Sequence, residues 1–525
     1  MHRPPYFIIR SLIVLSILIL SGKMIYGQSN LKYTISGYVY EKGSRETLIG
    51  VNIYDMRTKT GVVTNTYGYY AITLPADSVS LLYSYVGFNP HHEKLILKSN
   101  IRLDIEMEGS IELGEFVVRD EQIHRISQRT QMSQLEIPML QAKAIPGLLG
   151  EKDMLKVLQL MPGVQSGTEG TSGFYVRGGG ADQNLIILDD APVYNASHLF
   201  GFFSVFNGDA VKNMQLYKGG FPARFGGRLS SVLDIQMKDG NKQEFHGEAG
   251  IGLISSRLMV EGPLLKNKAS FLISGRRTYI DALIRPFMPS DSKLGYFFYD
   301  LNAKINYDIN PNNKLFVSGY FGKDKFSIYD KYGDDYHITE NDIGFFWQNA
   351  TSTIRWNHIF NNQLFSNLSV YLSDYTLKLG EEVSNKNTID NTEYKYEASF
   401  NSGIRDVGLK YDVSWLPLPN HIVRMGLSSV YHLFTPSAMV LRDDEINQNE
   451  REVEQYHSFE SGLYIEDEIK FGDWLSLNPG LRLSHFYANK RSYQHIEPRL
   501  SVNVKMSPQL SWKSSYASMN QYVHL

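Results

Sequence analysis

From Phe245 onward apolar and polar residues alternate with a period of two, and no other feature restricts the fold as strongly. Leu475, Leu477, Leu481 and Leu483 interleave with Ser476, Asn478, Arg482 and Ser484. Val423, Met425 and Leu427 interleave with Arg424, Gly426 and Ser428, and Leu500, Val502, Val504 and Met506 with Ser501, Asn503 and Lys505. Successive side chains of a strand point to opposite faces, so each segment carries one apolar and one polar face. The apolar face covers either a soluble core or a surface in contact with lipid, and the period alone does not choose.

The connections favour lipid. Short turns are expected near Leu265–Lys268, Asn310–Asn313, Asn361–Asn362, Pro417–Asn420, Gly472–Asp473 and Ser507–Gln509. Longer polar loops are expected between them, at Ile328–Asp342, Gly380–Tyr394 and Thr435–Glu454. Tight turns on one side and long connections on the other are what an outer-membrane barrel has. Counting between turns gives about thirteen strands in a partial antiparallel transmembrane β-barrel over 244–525, where a plugged transporter uses about 22. An open wall leaves two unpaired edges in lipid. The chain therefore reads as a fragment whose missing C-terminal part closes the barrel.

Composition agrees. Aromatic residues make up 13% of 525 residues alongside 43 glycines, which suits strands that need apolar side chains only at alternate positions. A formal charge of −3 gives no basic footprint for nucleic acid. The absence of cysteine removes disulfides, thiolate metal sites, a thiol nucleophile and a Cys-linked lipid anchor. His2, Arg3 and Arg10 precede an apolar run from Ser11 to Leu20, and Gly27 is a small residue before Gln28, so 1–27 reads as a signal peptide. After it no stretch reaches the ~20 apolar residues that a membrane helix needs.

Residues 31–108 alternate in short pieces between Gly and Asn, as a small β-sandwich does. Strands are expected at Tyr33–Tyr40, Gly50–Tyr54, Gly61–Thr64, Tyr69–Leu74, Ser80–Tyr85 and Ile101–Glu106. The text SGYVYEKGSRETLIGVNIYD, followed by GVVTNTYGYYAITLP, resembles the carboxypeptidase regulatory-like domain of Bacteroidetes receptors, in which Gly68 makes the turn into the next strand. The likeness brings no peptidase activity with it. Residues 109–135 turn polar and Gln-rich and read as a linker.

Residues 136–240 read as an α+β domain. GEKDMLKVLQLMPGV places Met154, Leu155, Leu158 and Met161 near helical spacing and is stopped by Pro162-Gly163. Strands are expected at Phe174–Arg177, Leu185–Leu188 and Val211–Tyr217. GFYVRGGGADQNLIILDDAPVYN and VKNMQLYKGGFPARFGGRLSSVLDIQMKDG resemble the plug domain of TonB-dependent outer-membrane receptors. Gly178, Gly179 and Gly180 suit a turn with positive φ, and Arg177 is placed to pair with Asp189 or Asp190. Gly219, Gly220, Gly226 and Gly227 are expected in tight loops where plug meets wall. No G-x4-G-K-[ST] occurs, so the triple glycine is structural rather than a phosphate cradle.

That resemblance assigns the TonB box to Leu113, Gly114, Glu115, Phe116, Val117 and Val118, an extended segment able to pair with a partner's sheet edge. The alternative is that it forms the last strand of the sandwich. It also implies an outer-membrane protein with a periplasmic N-terminal domain, contacts with outer-membrane lipid, a TonB energy-transducing partner and a small extracellular ligand. The ligand classes are siderophore, cobalamin, glycan and peptide, with a surface lipoprotein lid if the ligand is a glycan. Two other readings stay open: a ligand-sensing signal transducer, and a soluble all-β binding protein.

Enzymatic chemistry finds no support. His457 and Glu460 form an H-x-x-E, but residues three apart on a strand face opposite ways and cannot share a metal. Neither H-E-x-x-H nor G-x-S-x-G occurs. Arg276 and Arg277, beside Tyr279, face opposite ways and suit an interface anchor better than an anion site. No catalytic residue, metal or cofactor is expected.

Overall fold

The computed structural model describes residues 31–110, 134–139, 153–166, 173–198, 201–444, 448–472, 474–507 and 510–523. The expected signal peptide and the segment Leu113–Val118 lie outside the described residues.

The front domain is a β-sandwich of two four-stranded sheets. Strand Lys32–Glu41 pairs antiparallel with Tyr69–Pro75 and parallel with the short strands Ile101–Arg102 and Ile105–Met107. The second sheet contains Asn52–Asp55, Gly61–Val63, Ser78–Ser84 and His91–Ile96, the last of which the sequence pattern does not reveal. Ile35, Val39, Ile53, Ile72, Val79 and Leu81 fill the space between the sheets. Gly68 has φ +78° and closes the turn into Tyr69.

The plug domain has a five-stranded sheet in the order Ala191–Pro192, Asn184–Leu188, Ser231–Met237, Val211–Lys218, Gln134–Pro138. Gln134 and Leu135, read from sequence as the end of the linker, thus pair with Tyr217 and Leu216 at a sheet edge. A six-residue helix, Met154–Gln159, buries Met154, Leu155, Val157 and Leu158. Asp153 caps it, with Oδ1 accepting from Leu155 N at 2.8 Å while Oδ2 accepts from Ser204 N at 2.9 Å. One carboxylate therefore satisfies orphan helix donors and ties the helix to the neighbouring chain.

Thirteen antiparallel strands follow in sequential order. They are β1 His246–Ile251, β2 Ser255–Leu265, β3 Ala269–Thr278, β4 Ser292–Asn310, β5 Asn313–Gly333, β6 His337–Asn361 and β7 Leu364–Asn387. The sheet continues with β8 Thr392–Trp415, β9 His421–Asp443, β10 Gln448–Phe471, β11 Leu475–Ala488, β12 Arg491–Lys505 and β13 Ser511–Ala517. Among the described residues β1 and β13 do not pair with one another, so this wall is open.

Four of the six short turns fall between strands as expected, and the other two, Gly472–Asp473 and Ser507–Gln509, lie partly outside the described residues. The three long polar loops do not exist as loops. Asp330 pairs with Asn341 across the first, Glu382 with Glu397 across the second, and Leu441 with Glu450 across the third, so each is the upper part of a hairpin. β7 has 24 residues, roughly 80 Å of strand at ~3.3 Å per residue, whereas ~9–11 residues cross a bilayer. More than half of each long strand stands outside the hydrocarbon layer.

Candidate functional site

The wall is inside-out relative to a soluble sandwich. Leu481 and Leu483 are 40% and 44% exposed, while Asn478, Arg482 and Ser484 on the opposite face of the same strand are buried. Leu500 lies outward and Ser501 and Asn503 inward, and on β7 Val370 and Leu372 lie outward while Asn367, Ser369 and Ser373 are buried. A soluble core would bury the leucines. Here the polar face is covered, because the plug packs against it: the plug core of Leu188, Val211, Leu233 and Ile235 continues into Met259, Leu272 and Tyr320 of the wall.

The seat is held by buried charges. After strand Asn184–Leu188 the chain turns through Asp189 (φ 45°) and Asp190 (φ 75°), a conformation Asp tolerates better than most residues, and this presents both carboxylates to the wall. Asp189 Oδ1 accepts from Met237 N at 3.1 Å, and its Oδ2 lies 2.9 Å from Lys304 Nζ. Lys304, 1% exposed, also reaches Asp239 Oδ1 at 3.0 Å and donates to Met237 O at 2.9 Å. Asp190 accepts from Ser369 Oγ at 2.7 Å, with Lys410 at 3.3 Å and Arg355 at 3.8 Å. Burial alone would raise its carboxyl, but Lys410 and Arg355 outweigh burial and hold it below the usual range.

Asp189 and Asp190 thus pair with wall residues, not with Arg177 as expected. Arg177 (φ 50°) sits instead beside Gly219, its Nη1 within 3.2 Å of where a Cβ would stand. Without Asp189 and Asp190, buried Arg355 would lose both carboxylates within ion-pair distance, while Lys304 would keep only Asp239 and Lys410 only Asp412.

A second anchor is His198, 1% exposed. Its Nε2 lies 2.7 Å from Asp300 Oδ1 and its Nδ1 2.5 Å from Asp324 Oδ2, with Phe298 stacked on the ring at 4.1 Å. Burial would lower its pKa; the two carboxylates overcome that and push it up to about 9, so the ring is an imidazolium at neutral pH. Arg276 stacks on Phe298 and pairs with Asp300 at 2.5 Å, completing a buried Arg–Asp–His–Asp chain. Arg277 points the other way, over Phe297 and toward Asp281.

The glycines sit where space runs out. A Cβ on Gly179 would lie 2.5 Å from Ser230 Oγ, one on Gly220 2.7 Å from Ser515 Oγ, one on Gly226 2.3 Å from Arg482 Nε, and one on Gly227 2.7 Å from Glu460 Oε1. Gly180, extended at φ −66°, precedes a 3-10 turn, and Gly178 has φ +81°. Around these loops Arg499 Nη1 donates to Pro222 O at 2.6 Å and to Phe225 O at 2.8 Å, and Glu466 accepts from Ala223 N at 2.8 Å. Glu460 faces this plug loop while His457 bonds the Tyr431 hydroxyl on the other face.

The front domain closes the short-turn end. Lys314 Nζ lies 3.9 Å from the Tyr38 ring centre and 4.6 Å from that of Tyr40, and donates to the Tyr40 hydroxyl at 2.9 Å. Tyr69 stacks on Phe365 at 4.9 Å, and Lys470 Nζ donates to Gly61 O at 2.8 Å. The front domain also grips the plug: Glu46 accepts from Asp239 N at 2.6 Å, and Lys212 lies between Asp239 at 2.7 Å and Glu46 at 3.4 Å. A cavity of about 250 Å³ separates the three parts, with Glu136, Arg224, Arg424 and Glu468 among its lining.

Three families match in chain order. The CarboxypepD_reg-like domain matches residues 35–118, the TonB-dependent receptor plug domain 136–231, and the TonB-dependent receptor-like β-barrel 278–519. The chain belongs to the TonB-dependent receptors.

Membership places it among outer-membrane β-barrel receptors, a family of non-enzymes. Solved structures share the fold at low identity. The ferripyoverdine receptor of the Pseudomonas aeruginosa outer membrane, bound to ferripyoverdine, is 13% identical over 78% of this chain and 61% of its own, with a TM-score of 0.52. The siderophore receptor PiuA from Acinetobacter baumannii is 12% identical over 73% and 64%, TM-score 0.51. A mutant of the ferric enterobactin receptor from P. aeruginosa is 15% identical over 75% and 62%, TM-score 0.50. The chain spans about three fifths of the length of these receptors. Among curated protein sequences none matches.

Proposed function

We propose that this receptor imports a ligand across the outer membrane, with the plug gating the barrel and a TonB partner in the inner membrane supplying force through Leu113–Val118. The observation that carries this reading is the seat of the plug. Beside the apolar contact with Met259, Leu272 and Tyr320, the plug meets the wall through buried ion pairs centred on Asp189, Asp190 and His198, which an extracted plug can exchange for water. Buried pairs of this kind contribute little net stability but hold a defined position, which suits a part that must unseat and return.

Signal transducers of this class are expected to begin with a small βαβ module, whereas the front domain here is all-β, and this favours uptake. Siderophores, cobalamin, glycans and peptides are the ligand classes considered, and a surface lipoprotein lid accompanies only the glycan case. Deleting Leu113–Val118 from the full receptor should abolish energy-dependent uptake while leaving ligand binding at the cell surface intact. Unchanged uptake in the deletion strain would refute the coupling.

A further inference from the structure

Above the membrane the alternation changes face. On β7 the outward side reads Leu368, Val370, Leu372 and then Asp374, Thr376, Lys378, while the inward side reads Asn367, Ser369, Ser373 and then Leu377, Leu379. Strand pairing carries the same switch to neighbouring strands. Leu379 lies opposite Phe345 on one side and Phe400 on the other, Phe345 opposite Phe326, Phe326 opposite Tyr296, and Phe400 opposite Met439. Phe326 stacks on Phe345 at 4.9 Å, and Leu379 and Met439 remain 44% and 55% exposed. An apolar, largely aromatic band therefore lines the inside of the extracellular wall, running from Tyr296 and Phe326, packed against Phe203 of the plug, to the exposed Leu379 and Met439.

On β5 to β10 the charges of this upper inner face have one sign, whereas β12 turns Arg491 inward at its upper end. Following the same registers, Asp330, Glu381, Asp443, Glu450, Glu452 and Glu454 point inward above the plug on β5 to β10. Lysines and arginines of the same described hairpins occupy outward positions. Lys331 pairs with Glu340 at 3.0 Å, Lys395 with Glu393 at 3.4 Å, and Arg405 with Asp374 at 2.6 Å, all on the outer side. Lower on the inner face, buried His432 turns an Nε2 with no hydrogen-bond partner toward a cavity of about 110 Å³ that Glu460 and Tyr194 also line.

We propose that the ligand is a basic peptide with aromatic or aliphatic side chains, its cationic groups facing the carboxylates and its apolar groups the aromatic band. This rests on the import reading above. Fields from carboxylates of one sign focus cations into a concave site and repel ferric chelates that carry net negative charge. Aromatic faces add apolar area and attract ammonium and guanidinium groups. A neutral glycan would use the rings but gain nothing from six carboxylates.

The test uses the full receptor in detergent micelles and three probes: a hexapeptide alternating Lys and Phe, the same peptide with Glu for Lys, and ferric citrate. At low salt the basic peptide should bind at least tenfold more tightly than either anionic probe. The triple variant Glu450→Gln, Glu452→Gln, Glu454→Gln should weaken it about tenfold, and 0.5 M NaCl should erase the difference. The outward pair Glu393→Gln, Glu397→Gln on a neighbouring hairpin should leave binding unchanged and shows that the hairpins tolerate such changes. Tighter binding of an anionic probe, or basic-peptide binding indifferent to the inward glutamates and to salt, overturns the ligand class. Uptake assays separate the two readings. Peptide binding without Leu113–Val118-dependent entry sinks import and spares the ligand class, and box-dependent entry of an anionic chelate does the reverse.

Discussion

Raising the pH should unlock the plug through His198. The imidazolium is held between Asp300 and Asp324 with its pKa pushed up to about 9, against about 6.5 in an unfolded chain. A raised folded-state pKa means that its contribution is fully present below pH 6.5, declines as pH rises, and is lost above about 9. A difference of about 2.5 units corresponds to about 3.4 kcal/mol, or roughly three hundredfold in the seated-to-released ratio. That sits at the lower end of the ~3–5 kcal/mol for breaking a buried ion pair by removing one partner. The chain has no native cysteine, so a fluorophore on Ser166→Cys, an exposed plug position, reports plug release in a urea titration. The wild-type midpoint should fall between pH 6 and pH 9.5, and His198→Gln should start low at pH 6 and lose most of its pH dependence. An equally steep fall in the variant, or a variant as stable as wild type at pH 6, would refute the reasoning.

Gly226→Ala puts a methyl group 2.3 Å from Arg482 Nε, so it should destabilise the seated plug by about 1–3 kcal/mol, the usual cost of overpacking, read as a lower urea midpoint while the wall stays folded. Lys314→Ala removes the cation between Tyr38 and Tyr40. It should cost the front-domain contact about 1–2 kcal/mol, measured as a slower rate of disulfide formation between Ser44→Cys and Lys242→Cys, whose backbones bond at 2.8 Å.

The parts that were legible in the sequence share a physical cause: a local signal strong enough to override its surroundings. Asn310–Asn313 and Asn361–Asn362 mark tight turns because asparagine and its neighbours favour turn geometry, and both fall between strands. The outer hairpins were misread because the apolar residues of β7 change from even to odd positions between Leu372 and Leu377. A broken period looks like a loop when the strand in fact continues and only the apolar side moves. His198, Lys304 and Lys410 left no motif. Each is a single polar residue whose role depends on partners 100 or more positions away in the chain, as with His198 and Asp300 or Lys410 and Asp190. Inward parity on the wall strands was the available clue for Lys304 and Lys410. Nothing comparable marked His198 on the plug, and the proximity of Arg177 to two aspartates in sequence proved a poor guide.

The account stands on the outward leucines facing lipid and on the reversal of that pattern higher on the same strand. Spin labels at Leu372→Cys, Ser373→Cys and Leu379→Cys in reconstituted receptor test it on one strand. Leu372→Cys should be accessible to dissolved oxygen and closed to a water-soluble nickel chelate, Ser373→Cys should be shielded from both, and Leu379→Cys should be open to the chelate. A label at Leu372→Cys that the chelate reaches freely would contradict the account.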